Sequence, residues 1–291
     1  MNNKQLLQQY VDTGIRLPEY QIKSLPSDLL KTYIRKRLIA TEGTNRGILE
    51  DYEFELLTPD QQNQYIKIKV EYGNHISDKQ FEFLTPDHRF QYAMKRAEKG
   101  YIISDKQFEL LTPDQQNQYL KIKVENGNYI SVKQFEFLTP DQRFQYAMKR
   151  VEKGYIISDE EFELLTPDHR FQYAMKSAEN GRFILTTQFK SLTPDQRFQY
   201  VMKLVEKRYD ISDYEFELLT PEQQVQYVIK RFELGFYISD EKFELLTPEQ
   251  QVQYTMKRVE KGYNISYEQY GLLTPEQQKI FKDKGSRIVI R

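Results

Sequence analysis

Cysteine and tryptophan are both absent from the 291 residues, and histidine occurs only as His75, His88 and His169. Without cysteine there is no disulfide framework, no thiolate-ligated zinc or iron–sulfur site and no thiol nucleophile. A His-rich metal centre would need nearly every histidine in one place. Excess charge is lacking as well: 42 Lys and Arg face 43 Asp and Glu, a net charge of -1. Bulk attraction to a phosphate backbone is thereby disfavoured, although a local basic stripe can survive inside a neutral total. No apolar run nears the ~18 residues of a membrane span, and the opening MNNKQLLQQY lacks the charged start and apolar stretch of a signal peptide. The expected location is the cytoplasm, with no membrane association. A mean hydropathy of -0.75 would fit partial disorder, but 14% aromatic residues with both charge signs interleaved argue for a folded chain.

What the chain has in abundance is repetition. Nine of the eleven prolines, from Pro59 to Pro275, stand 27 residues apart, each within Leu-Thr-Pro-Asp/Glu. A degenerate unit, LPEYQIKSLPSDLLKTYIRKRL, precedes them, offset by extra residues in the Gly-containing loop Thr41 to Gly47. Residues 51–104 and 105–158 match at 46 of 54 positions, so a two-unit block is duplicated within the chain.

Each unit reads as a short helix followed by a long one. In ISDEEFELL, Ser158 is the N-cap and Glu161 its capping-box partner, with Ile157 and Phe162 as a hydrophobic staple. Thr166 then caps a second helix, with Pro167 at its first position and Asp168 at its positive end. Lys and Arg fill the last turns, and a glycine suited to a left-handed cap follows at Gly73, Gly100, Gly127, Gly154, Gly181, Gly235, Gly262 and Gly285. One such hairpin cannot bury a core alone, so successive units must stack. The expectation is an all-α fold, a right- or left-handed α-solenoid of about ten 27-residue helix-turn-helix repeats. Residues 1–14 form an N-terminal capping helix, 15–47 the degenerate first repeat, 48–283 nine regular repeats and 284–291 a tail. The tail GSRIVIR alternates like a strand; it covers the last repeat, hangs loose or docks elsewhere. The seventh unit departs from the pattern, with Leu185 at the cap position and Arg208 where a capping glycine is due.

The phrase LTPEQQVQY, Leu246 to Tyr254, resembles the LTPEQ opening of the repeats in transcription-activator-like effectors, which read DNA one base per repeat. Those repeats are longer and carry their base-reading residues on a glycine-containing loop between the helices. Here LTPEQ opens the long helix and no paired Gly is present, so the likeness is that of a shared helix start. The wider resemblance is to the class of helical-hairpin repeats, which implies an α-solenoid and names no ligand.

No catalytic constellation stands out. His88 and His169 alternate with Gln at the third position of the long helix, as end-of-helix polar groups do; acidic residues crowd first turns, where the helix dipole accounts for them. No cofactor is expected. The recurrent Gln-Tyr pair is the informative feature. Its Tyr lies roughly 150° from the centre of the apolar stripe formed by residues such as Phe90, Ala93, Met94 and Ala97. Two readings are open: the Tyr pads the contact between repeats, or it lines a surface stripe with Arg and Lys between about residues 89 and 203. On the second reading the binding residues are Arg89, Tyr92, Arg96, Arg143, Tyr146, Arg150, Arg170, Tyr173, Arg197 and Tyr200. The functional expectation is a noncatalytic scaffold binding another protein, in keeping with a virus-encoded or effector protein that targets a host factor. The alternative is RNA or single-stranded DNA on the Tyr/Arg/Lys stripe. Oligomeric state is left open.

Overall fold

The computed structural model describes residues 13, 15–42 and 49–289. The expected capping helix over 1–14 and most of the Thr41–Gly47 loop lie outside them. The chain is an all-α repeat solenoid in which short and long helices alternate. Its degenerate first repeat pairs Glu19–Lys23 with Ser27–Glu42, and the regular pattern begins with Asp51–Glu55 and Pro59–Tyr72. It continues through pairs such as Asp78–Glu82 with Pro86–Glu98 and Asp159–Glu163 with Pro167–Glu179, and ends with Tyr267–Gly271 and Pro275–Asp283. The residues form two compact units, Met1–Arg150 and Val151–Arg291. Within each, short helices pack on short and long on long: Asp51–Glu55 meets Asp78–Glu82 while Pro59–Tyr72 meets Pro86–Glu98, and Pro167–Glu179 meets Pro194–Glu206.

The local signals act as their chemistry dictates. Ser77 Oγ accepts the Gln80 N–H at 3.1 Å and Thr85 Oγ1 the His88 N–H at 3.3 Å, so both helices of this repeat start on a side-chain cap. At the other end of the long helix Gly100 adopts φ 80°, and Tyr101 N–H reaches back to the Arg96 carbonyl at 2.9 Å. That is the Schellman closure, open to glycine because no Cβ opposes the left-handed turn. The short helix is shorter than its sequence suggests. It stops at Glu163 rather than Leu165, because the Leu165 N–H bonds the Phe162 carbonyl three residues back and tightens the chain into the turn that Thr166 ends.

The seven units from Ile76 to Tyr254 bury the same set: the Ile before the short helix, its Phe, the Leu before the Thr, and the Tyr of the Gln-Tyr pair, as in Ile76, Phe81, Leu84 and Tyr92. In the seventh unit Leu185 offers no acceptor, so only Gln188 closes the cap, through the Leu185 N–H at 3.2 Å. Arg208 takes φ 68°, a left-handed backbone that L side chains adopt at a cost of about 1–2 kcal/mol. The C-terminal tail covers the last repeat: Ile288–Val289 pairs in parallel with Ile265–Ser266, and Ile265 N–H donates to the Arg287 carbonyl at 3.1 Å.

Candidate functional site

The tyrosines of the expected Tyr/Arg/Lys stripe are not on the surface. Tyr92, Tyr146, Tyr173 and Tyr200 are at most 1% exposed, so their placement on a ligand-facing stripe is corrected by the fold. Each packs on the Phe of its own short helix, Tyr92 on Phe81 at 5.7 Å and Tyr146 on Phe135 at 5.5 Å between ring centroids. Each hydroxyl also accepts the backbone N–H of the Ile that leads into that helix: Ile76 to Tyr92 at 3.2 Å, Ile130 to Tyr146 at 3.4 Å, Ile157 to Tyr173 at 3.1 Å and Ile184 to Tyr200 at 3.0 Å. The Tyr is therefore an internal staple that satisfies a buried donor left over at the start of the short helix. Burial pushes the Tyr92 and Tyr200 phenols up, and it raises Tyr65 and Tyr119 to about 12. The hydropathy wheel misplaces the Tyr because a long helix in a stack is covered by its own short helix as well as by neighbouring long helices. Phe90 and Met94, centred on the apolar stripe, are only half-buried.

The arginines three residues after proline are also engaged within the fold. Arg89 donates to the Phe81 carbonyl at 3.3 Å and to the Glu82 carbonyl at 2.7 Å, while its guanidinium lies 5.9 Å from the Phe81 ring centroid. Arg143 repeats this with Phe135 and Glu136, and Arg170 with Phe162 and Glu163. Arg197 donates to the Leu192 carbonyl at 3.0 Å and to Leu218 in the next repeat. Where a repeat has Gln instead, the amide does the same work: Gln62 donates to Phe54 at 3.0 Å and Gln116 to Phe108 at 2.9 Å. This position closes the C-terminal carbonyls of the short helix, and any donor of sufficient reach serves.

Seven residues further on, the side chain reaches the end of the preceding long helix. Arg96 donates to the Gly73 carbonyl at 3.4 Å and to Ile102 of its own loop at 2.9 Å. Lys123 holds the Gly100 and Tyr101 carbonyls at 3.2 and 3.1 Å. Arg150 occupies the corresponding position at the end of the first unit. Lys69, buried at this position, has its pKa lowered by desolvation. These cations neutralise the negative helix end of a neighbouring repeat.

A third tie runs through the short helix. Gln80, wholly buried, accepts the Ser77 N–H and donates to the Leu49 carbonyl of the previous repeat at 2.8 Å. Gln107 and Gln188 do likewise to Ile76 and Ile157, at 3.2 and 3.0 Å.

Two surface rows remain, and neither belongs to the expected set. One is a Leu or Phe at the C-terminal end of the short helix: Leu56, Phe83, Leu110 and Phe137 in the first unit are 41–55% exposed, and Leu245 and Leu272 continue the position in the second. Phe83 rests edge-on against Phe54 and Phe137 against Phe108, at 5.3 and 5.2 Å, which fixes their orientation. The other row is aromatic and lies in the loops after the long helices: Tyr101 and Tyr129 in the first unit, then Tyr155, Phe183, Tyr209, Tyr237 and Tyr263 in the second. The strings Lys-Gly-Tyr and Asn-Gly-Asn-Tyr carried this row in the sequence, masked by their reading as helix caps. A groove between Pro59–Tyr72 and Pro86–Glu98 is lined by Val70, His88, Phe90 and Met94 among others. Among the described residues no helix is long and apolar enough to cross a membrane. No protein-family model matches the chain, and neither a curated protein nor a solved structure matches it.

Proposed function

We propose that the protein is a noncatalytic, cytoplasmic scaffold that holds another protein along its repeat surface. The observation that carries this reading is the row of exposed Leu and Phe side chains at the ends of successive short helices, Leu56, Phe83, Leu110 and Phe137. Contiguous exposed apolar surface is costly to leave in water and marks protein contact sites in soluble proteins. Its spacing follows from the repeat, so copying a two-repeat block lengthens the surface without new design. That economy suits a virus-encoded or effector protein directed at a host factor. The nucleic-acid alternative drew on the Tyr and Arg sets, whose polar atoms the fold engages internally, and has no comparable support.

The test is affinity capture from an extract of the source cells by the wild-type chain and by a variant with Leu56, Phe83, Leu110 and Phe137 replaced by Ser. Loss of a captured protein with helix content retained is expected. Equal capture by both chains sinks the reading.

A further inference from the structure

The last repeat reverses the aromatic pair that staples the inner ones. In the inner repeats the short helix carries Phe and the long helix Tyr, as in Phe81 with Tyr92 and Phe243 with Tyr254. In the last repeat the short helix carries Tyr270 and the long helix Phe281, with ring centroids 5.1 Å apart. The ring contact is kept and the hydroxyl changes sides. Phe281 packs with Val259, Ile265 and Leu273 and has no oxygen for the Ile265 N–H, whereas Tyr254 accepts its counterpart, the Ile238 N–H, at 3.0 Å. The tail supplies the acceptor instead. Ile265 N–H donates to the Arg287 carbonyl at 3.1 Å, and Arg287 N–H donates back to the Asn264 side-chain oxygen at 3.3 Å. A similar need arises at Ile211, where Tyr227 gives its hydroxyl proton to Asp210; there the Asp210 carboxylate takes the Ile211 N–H at 3.0 Å. The buried donor is met in each case, by a hydroxyl, a carboxylate or a strand.

We propose that Phe281 makes the last repeat a strand-accepting seat and that the tail strand is a releasable strap filling it in cis. Once the strap is out, the seat takes an extended segment of the same chemistry from another chain, a basic residue followed by β-branched ones. The seat rests on pairing: a buried backbone donor without a hydroxyl needs another acceptor, and an extended chain brings carbonyls at regular intervals. Unpaired backbone groups on an extended segment are a template for a further strand. Release rests on how lightly the strap is held. Its strand is two residues long, and Ile288 and Val289 stay 37% and 39% exposed. Gly285, at φ 69°, ends the long helix and gives the strap a turn that belongs to neither element. Swinging the tail away therefore uncovers the Ile265 edge without opening the Phe281 cluster. The seat uses backbone groups of the last repeat and no side chain of the row from Leu56 to Phe137, so it stands or falls apart from the scaffold reading.

Residue-resolved hydrogen exchange tests the seat on the full chain and on a chain lacking residues 286–291. In the full chain Phe281→Tyr restores the hydroxyl, so the Ile265 amide is expected to stay protected while the amides over 287–289 exchange about ten-fold faster. In the shortened chain the Ile265 amide is expected to exchange about ten-fold faster, with Ile238 unchanged. Adding the peptide Ser-Arg-Ile-Val-Ile-Arg at about 2 mM, the order of the effective concentration of a short tether, is expected to recover most of that loss. The shortened chain carrying Phe281→Tyr has its seat closed and is expected not to respond to the peptide. Should the shortening also expose the amides of Pro275–Asp283, Val289→Pro, which breaks the strand and leaves the rest of the tail in place, replaces it. Tail amides as protected in Phe281→Tyr as in the wild type overturn the seat, and so does an Ile265 amide indifferent to loss of the strand. A peptide that protects the open and the closed seat equally, or protects neither, overturns filling by another chain.

Discussion

The junction between the first and second repeats and the junction between the second and third place opposite chemistry at equivalent positions. At the first, the third residue of the short helix is Glu53, wholly buried, which takes the Tyr33 hydroxyl at 2.5 Å and Arg37 at 2.9 and 3.2 Å. Arg37 retains about a tenth of its side-chain surface and Glu53 none. At the second, the equivalent residue is Gln80, which supplies both the acceptor for Ser77 and the donor for Leu49. A carboxylate can only accept, so the ionic junction must import donors from the preceding repeat; an amide is self-sufficient. The ionic form depends on the Tyr33 and Arg37 side chains, and the neutral form spreads the requirement over the backbone.

Alkaline pH is expected to have the largest effect, because it acts on the buried Tyr of many repeats at once. Unfolded tyrosine ionises near pH 10, whereas burial raises Tyr65 and Tyr119 to about 12 and pushes up Tyr33 further through its bond to Glu53. Below pH 10 both states hold their protons. Between about 10 and 12 only the unfolded chain releases them, so it binds fewer protons and stability falls as pH rises, by up to ~1.4 kcal/mol per pH unit for each such Tyr. A steep loss of helix signal in that window is expected, together with tyrosinate absorbance from the buried set. Ionisation of the buried set with the helices intact would contradict the staple.

The comparison breaks most directly at Arg37. Arg37→Ala leaves the Glu53 carboxylate buried without its cation, and such changes cost about 3–5 kcal/mol. Local loss of amide protection over residues 17–42 and 49–58 in hydrogen exchange is the expected sign, since an end repeat can open without the rest. Pairing Arg37→Leu with Glu53→Gln converts the junction to the neutral kind and should recover most of the protection. If the double variant is no better than Arg37→Ala, the ionic and neutral junctions are not interchangeable solutions.

Gln80→Leu tests the neutral side. It strands the Leu49 carbonyl and the Ser77 N–H, for an expected loss of about 1–3 kcal/mol in a urea melt, less than the ionic break because no charge is orphaned. A loss equal to that of Arg37→Ala would remove the distinction between the junctions.

The punctuation of the fold was legible because it is local. Thr-Pro starts, Gly stops and Ser caps each act within one turn, and they place most helix ends within two residues. What lies between repeats was less legible. The Tyr of the Gln-Tyr pair has an amphipathic side chain, and no helical wheel distinguishes a hydroxyl facing water from one accepting the buried N–H that leads into its own short helix. The interchange of Arg89 and Arg143 with Gln62 and Gln116 did hold a clue. Arginine and glutamine share donor capacity and not charge, so a position that accepts either needs a donor.

That equivalence yields the smallest and most discriminating effect. Arg89→Gln keeps a donor aimed at the Phe81 carbonyl, as Gln62 and Gln116 have in their repeats, and should change stability by less than about 0.5 kcal/mol. Arg89→Ala removes the donors to Phe81 and Glu82, at an expected cost of about 1 kcal/mol, small because the Glu82 carbonyl can turn to water. A charge-reading role would order the variants differently: Gln and Ala would lose partner binding alike, whatever they did to stability. Thermal melts and binding measured on the same two variants therefore separate a helix-closing donor from a ligand contact. A glutamine variant as unstable as the alanine variant would show that the guanidinium does more than donate.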